Sequence, residues 1–146
     1  NSSGCIFEDS RIKNGISSSH VILNGHHMKN DGMFAPLKYY LNQSYYNTEG
    51  NDVFYIYTEN RIIQYKIFSV HVDNPETPAY TFNFPSIESL REYASLMKDM
   101  SMYDTGVDVS DATQIVTLLT CTATGDGRII VQGMYVGEGV LNSTSE

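Results

Sequence analysis

A chain of 146 residues can bury most of the surface its unfolded form exposes, and this one carries nine Lys and Arg against seventeen Asp and Glu, a net charge of −8. That balance excludes a nucleic-acid surface, which needs clustered cations to replace phosphate counterions. No run reaches the roughly 18 apolar residues of a bilayer span, no signal peptide opens the sequence, and two cysteines are too few for a disulfide scaffold.

Eleven tyrosines and no tryptophan lean the chain toward β structure, because aromatic side chains suit a half-buried pleated surface. "GCIFED" and "HVILNG" read as short strands separated by a polar connection containing "NGISSS". "MFAPLKYYL" spaces its apolar residues helically and predicts a short helix near 35–42. "DVFYIYTENRIIQYKIFSVHV" is the clearest hairpin, two aromatic and β-branched runs flanking a tight turn at Glu59-Asn60-Arg61.

"PSIESLREYASLMKDM" predicts a helix over 86–100, with Ser86 as N-cap and Glu88 favouring the dipole of the first turn. Ile87, Leu90, Ala94 and Met97 recur at steps of three and four and mark its buried face. "QIVTLLTC" and "RIIVQGMYV" are strands again, joined by "TATGDG". Many strands with one substantial late helix predict a mainly antiparallel β-barrel or sandwich, with "NSTSE" as a loose tail.

The chemistry-bearing residues gather at strand ends. Cys121 closes one apolar strand, and the turn returns the chain so that Arg128 opens the next. Strand alternation gives Cys121 the face of Ile115, Thr117 and Leu119; whether Arg128 shares it depends on the register. A cysteine attacks as its thiolate, and a nearby guanidinium favours that anion and can hold an oxyanion. Acyl transfer also needs a group that moves protons.

His20 begins a strand, and His71 is most simply a strand-face residue. His26 follows "VILNG", where Gly25 permits a sharp turn at the mouth of the sheet. His26 and His27 are adjacent and point apart, so they make no zinc pair. At this level Cys121 reads as a small buried hydrophobe, which a lone strand cysteine more often is, as half of a disulfide with Cys5, or as a nucleophile.

These residues resemble the sortases, cysteine transpeptidases of Gram-positive surfaces. "TLLTC" matches the TLxTC signature of that family, "GRIIVQG" is similar to the strand that carries its arginine, and "VILNGHHMKNDGMFAPLKYY" to the segment that carries its histidine. "GCIFEDSR", "YDTGVDVSDATQIVTLLTC" and the helix before the cysteine strand resemble class B in particular. Leu119 stands where class B often has a small polar residue, and Asn24 where an aromatic is common.

The resemblance implies a sortase-like closed β-barrel, one catalytic domain over 1–146 that lacks N-terminal elements of the full domain. It implies Cys121 as nucleophile, His26 as general acid and base, and Arg128 as stabiliser of the substrate carbonyl or oxyanion. Leu119 and Thr120 would contact the substrate, with no metal and no cofactor. The implied partners are the C-terminal sorting-signal peptide of a surface protein, cleaved between Thr and Gly or Asn, and an amine of a peptidoglycan precursor or a pilin lysine. The implied location is the outer face of the cell membrane, through an N-terminal anchor not in this sequence. Two other functions fit the same residues: a cysteine hydrolase that releases product to water, and a non-catalytic β-barrel binding module in which Cys121 is buried or paired with Cys5.

Overall fold

The computed structural model describes residues 6–8, 20–24, 35–57, 60–74, 76, 84–121 and 127–140. Six strands form one sheet: β1 (Ile6–Glu8), β2 (His20–Asn24), β3 (Val53–Tyr57), β4 (Arg61–Asp73), β5 (Ile115–Cys121) and β6 (Arg128–Val140). Their order across the sheet is β1-β3-β4-β6-β5-β2. The mainly β fold read from the sequence is therefore present. Its outer members, β1 and β2, are not joined to each other among the described residues, so the described strands make an open sheet.

The three central pairings, β3 with β4, β4 with β6 and β5 with β6, are antiparallel, as expected. The two outer pairings, β1 with β3 and β2 with β5, are parallel. Parallel neighbours need long crossovers, so they join segments far apart in sequence and leave no local hairpin signal.

The β3–β4 hairpin forms where the aromatic runs placed it, with Tyr57 opposite Ile62. Strand β3 alternates half-buried and buried side chains along Val53–Tyr57, as a sheet with one packed face requires. Strand β4 is longer than its hairpin partner and pairs with β6 over its whole length, through irregularities at Gln64/Tyr65 and Ile67/Ser69. Past Lys66 its other edge is covered by the chain after the late helix. The amide of Met102 donates to the Val70 carbonyl at 2.7 Å, the Val70 amide to Ser101 Oγ at 3.0 Å, and Thr105 Oγ1 to the Phe68 carbonyl at 2.9 Å. These bonds occupy an edge that would otherwise present unpaired backbone groups.

The helix expected near 35–42 is a 3-10 helix, Ala35–Leu41, followed by the single-turn helix α1, Gln43–Tyr46. Asn42 separates them: its backbone is extended and its side chain accepts from the Ser44 amide, ending one helix and capping the next. Helix α2 spans Ile87–Met100 with Ser86 as N-cap, and the side chains of Ser86 and Ser89 accept each other's backbone amides. Its buried face is Leu90, Tyr93, Ala94 and Met97. Ile87, expected on that stripe, is 40% exposed, and Tyr93 takes its place. Ile87 lies in the first turn, while the residues that meet the sheet begin with Leu90.

Two apolar layers flank the sheet. One gathers Phe54, Ile56, Tyr65, Val70, Val116, Leu118 and Val131 with Leu37, Tyr40 and Tyr46 of the short helices. The other packs Ile115, Leu119 and Ile130 beneath the buried face of α2. Alternation along β5 and β6 sorts successive residues between the two.

In the first layer the Phe54 and Tyr65 rings stack with centroids 5.3 Å apart, against the backbone of Gly133. A Cβ at Gly133 would lie 2.6 Å from Phe54 Cε2. Gly133→Ala should therefore cost about 1–3 kcal/mol by overpacking. Adding Phe54→Leu should recover part of that loss, as read from urea midpoints; an unchanged midpoint for the single variant would contradict the packing.

His71 is 3% exposed in the α2 layer. Burial lowers its pKa below the ordinary 6.5, against a weaker upward pull from Asp73. The unfolded chain then takes up the proton first, so the stability this neutral imidazole contributes is present above about pH 6.5 and lost as pH falls. Between about pH 7.5 and about pH 5, the native chain should lose stability more steeply than His71→Leu. Parallel pH profiles for the two proteins would refute this.

Candidate active site

The site is built by the ends of β5 and β6. Their antiparallel register sets Ile115 opposite Met134, Thr117 opposite Gln132 and Leu119 opposite Ile130. One pleat further, Cys121 stands directly opposite Arg128. The register that the sequence left open therefore opposes the two residues on neighbouring strands. Opposed residues of an antiparallel pair have Cα atoms about 4.5–5.5 Å apart, so cysteine and arginine positions meet across the end of the ladder.

On the other side of β6, Arg128 is opposite Asp73 of β4. A cross-strand row thus runs Asp73, Arg128, Cys121 over three strands. Arg128 is half-buried, and its Nη1 donates to the Gly127 carbonyl at 3.0 Å, tying the guanidinium to the strand's entry. A guanidinium near a cysteine favours thiolate over thiol, the form in which a cysteine attacks. Asp73 escaped the sequence reading. Its one signal is its place as the last residue of "IFSVHVD", and the pairing that makes it a neighbour of Arg128 lies 55 positions along the chain.

Strand β2 runs parallel to β5 and pairs Asn24 with Leu119, two residues before Cys121. Parallel neighbours finish at the same end of a sheet, so the chain leaves β2 at the end where β5 presents Cys121. His26 lies outside the described residues, as do His27, Cys5 and residues 122–126.

The two residues expected to contact substrate fall on opposite faces. Leu119 is 3% exposed and belongs to the α2 layer with Ile130. Thr120 is half-buried, opposite Ile129. The other strand histidines are internal: His20 Nε2 lies 2.7 Å from Thr117 Oγ1, and His71 Nδ1 lies 3.2 Å from Ser69 Oγ. Among the described residues no three His, Cys, Asp or Glu side chains converge on a common point, and no helix is long and apolar enough to cross a membrane.

Known proteins resemble the chain in sequence and in fold. The sortase domain model matches residues 3–136. Sortase B of Listeria monocytogenes is 30% identical over 138 residues, covering 91% of this chain and 54% of its own, and sortase B of Staphylococcus aureus is 27% identical over 118 residues, covering 81% and 48%. The crystal structure of Clostridium perfringens sortase B superposes with a TM-score of 0.71 at 28% identity, covering 85% of this chain and 69% of that one. The structure of Listeria monocytogenes sortase B gives 0.62 at 25% identity, covering 83% and 66%. The chain spans about half the length of the curated relatives it matches. A family model that covers nearly all of the chain, with sortase B proteins alike in sequence and in fold, makes this chain a member of the sortase family of the class B kind.

Proposed function

We propose that the chain is the catalytic part of a cysteine transpeptidase that cleaves a sorting-signal peptide and passes the acyl group to an amine. The observation that carries this reading is the opposition of Cys121 and Arg128 at the strand ends of a sortase-family chain. One structure of like fold, that of Staphylococcus aureus sortase B, is a substrate complex, which makes a peptide the first ligand to test.

In this reading the Cys121 thiolate attacks the carbonyl carbon of the signal's Thr, and Arg128 holds the carbonyl oxygen as negative charge develops on it. His26 gives a proton to the departing amine of the following Gly or Asn, leaving a thioester on Cys121. It then takes a proton from the incoming amine, which attacks the thioester carbonyl, forms a new amide and restores the thiolate. The acceptor amine belongs to a peptidoglycan precursor or to a pilin lysine. Thr120 and Leu119 flank the nucleophile, Thr120 from the half-exposed side and Leu119 from within the packed layer. The reaction belongs at the outer face of the cell membrane, where signal and acceptor meet. Residues 1–146 act in this reading as one catalytic domain, held at the membrane by an N-terminal segment.

Cleavage of fluorogenic peptides carrying LPxTG-like and NPxTN-like signals, with and without an added amine, tests the reading. Cys121→Ala should abolish cleavage while leaving the fold intact by circular dichroism, and normal cleavage by that variant would remove the nucleophile. Arg128→Ala should lower kcat/KM by about 10²–10³ with little change in stability. Near-full activity would remove the arginine from the reaction. Product that forms at the same rate and only by hydrolysis, whatever the amine concentration, would make the protein a hydrolase instead.

A further inference from the structure

The layer between the sheet and α2 holds a line of buried polar groups that the proposed chemistry does not use. Ser69, Gln132 and Thr117 occupy one cross-strand row through β4, β6 and β5. Gln132 Nε2 donates to Thr117 Oγ1 at 3.0 Å and to Tyr93 Oη at 2.9 Å, and Thr117 Oγ1 also meets His20 Nε2 of β2 at 2.7 Å. On β4, Ser69 Oγ donates to the Met97 carbonyl of α2 at 2.7 Å and lies 3.2 Å from His71 Nδ1. All six side chains are more than nine-tenths buried.

Counting protons fixes the state of His71. The one hydroxyl proton of Ser69 is committed to Met97, so toward His71 that oxygen can only accept. His71 therefore carries its proton on Nδ1, and its Nε2 is a bare lone pair. Among the described residues that atom has no hydrogen-bond partner, and neither has Gln132 Oε1. Both are acceptors, and neither reaches solvent. They stand on adjacent strands one diagonal step apart, since Ser69 is opposite Gln132 and His71 follows two residues later on the same face. The Gln132 amide nitrogen is engaged with β5 and α2, which turns its oxygen away from β5. A buried acceptor without a donor loses its hydration and gains nothing in return. The complement of two acceptors is a molecule with two O–H donors, a water.

We propose that one buried water donates to both His71 Nε2 and Gln132 Oε1, and that the polar chain it completes, from Ser69 and His71 through Gln132 and Thr117 to His20, positions the Cys121–Arg128 row. Thr117 lies four residues before Cys121 and Gln132 four residues after Arg128, so their bond ties β5 to β6 two pleats below the site. A slip of one residue between these strands would separate Cys121 from Arg128, and it would also break the buried bond from Gln132 to Thr117 inside an apolar layer. The positioning half of this proposal rests on the transpeptidase reading; the water and the tautomer do not.

The native chain tests the first half. A crystal structure should show an ordered water within about 3.2 Å of both atoms, and nitrogen NMR at neutral pH should find His71 protonated on Nδ1. A dry gap, two separate waters, the Nε2-protonated tautomer, or an amide turned so that its nitrogen meets His71 directly would each overturn it.

Thr117→Val against Thr117→Ser tests the second half. The valine variant should lower kcat for peptide cleavage by about tenfold with KM little changed, as expected for a slightly misplaced nucleophile. It should also slow alkylation of Cys121 by iodoacetamide, and the serine variant should restore both. Equal behaviour of the two variants would overturn the positioning role. If the native chain cleaves no peptide, the transpeptidase reading fails by itself, while the water, the tautomer and the alkylation comparison still decide this proposal.

Discussion

Strand β6 is the constraint on which the rest of the molecule depends. It is paired along its length with β4 on one side and over its first half with β5 on the other. Because side chains alternate with a period of two, this double pairing decides at once which residues face α2, which face the short helices, and what stands opposite what at the strand ends. The close packing of Gly133 against Phe54 belongs to the same constraint, since β6 can approach that ring only where it has no side chain. Cysteine and arginine are opposed because β6 has one register, and that register is held by apolar burial on both faces.

Helix α2 supplies the second half of that burial. Leu90, Tyr93, Ala94 and Met97 close the layer over Ile115, Leu119 and Ile130, and the return of the chain at 101–105 covers the upper edge of β4. The helix and its exit thus do two tasks with adjacent residues: they bury one face of the sheet and they occupy backbone groups that β3 is too short to reach. The layer is not wholly apolar. Tyr93 brings a hydroxyl to Gln132, and the Met97 carbonyl receives Ser69, so the helix is joined to the sheet by directional bonds as well as by area.

Much of this was legible in the sequence, and what was not has identifiable physical causes. The β3–β4 hairpin, the late helix with its Ser86 cap and the strand bearing Cys121 were all readable, because each is written in local periodicity and turn chemistry. The parallel partners β1·β3 and β2·β5 were not, since pairing across a long crossover leaves no mark in either segment. Tyr93 replaced Ile87 on the buried face because helical spacing allows both, and only the position of the sheet beneath the helix chooses between them. The break between Ala35–Leu41 and α1 turned on Asn42, whose side chain caps the second helix. At the site, the facing of Cys121 and Arg128 could be posed but not settled, because seven positions and a turn separate them and register is a tertiary property. Asp73 was invisible for the same reason, as its nearness to Arg128 is set by β4 and β6 together.

The packed scaffold and the candidate site share one ladder at the strand ends. Along β5, Thr117 and Leu119 are buried, and the next position of that alternating set is Cys121. Along β6 the same set runs outward from Gln132 and Ile130 to half-buried Arg128, and along β4 from Ser69 and His71 to half-buried Asp73. On β6 and β4 the buried set thus ends at half-buried charged residues, Arg128 and Asp73. A nucleophile placed one step further in would sit in the apolar layer, where burial penalises the thiolate and raises its pKa. One step further out it would belong to the turn and lose the cross-strand partner that the ladder fixes. The last paired position keeps the cysteine opposite the arginine while it is still fixed by the register of the ladder.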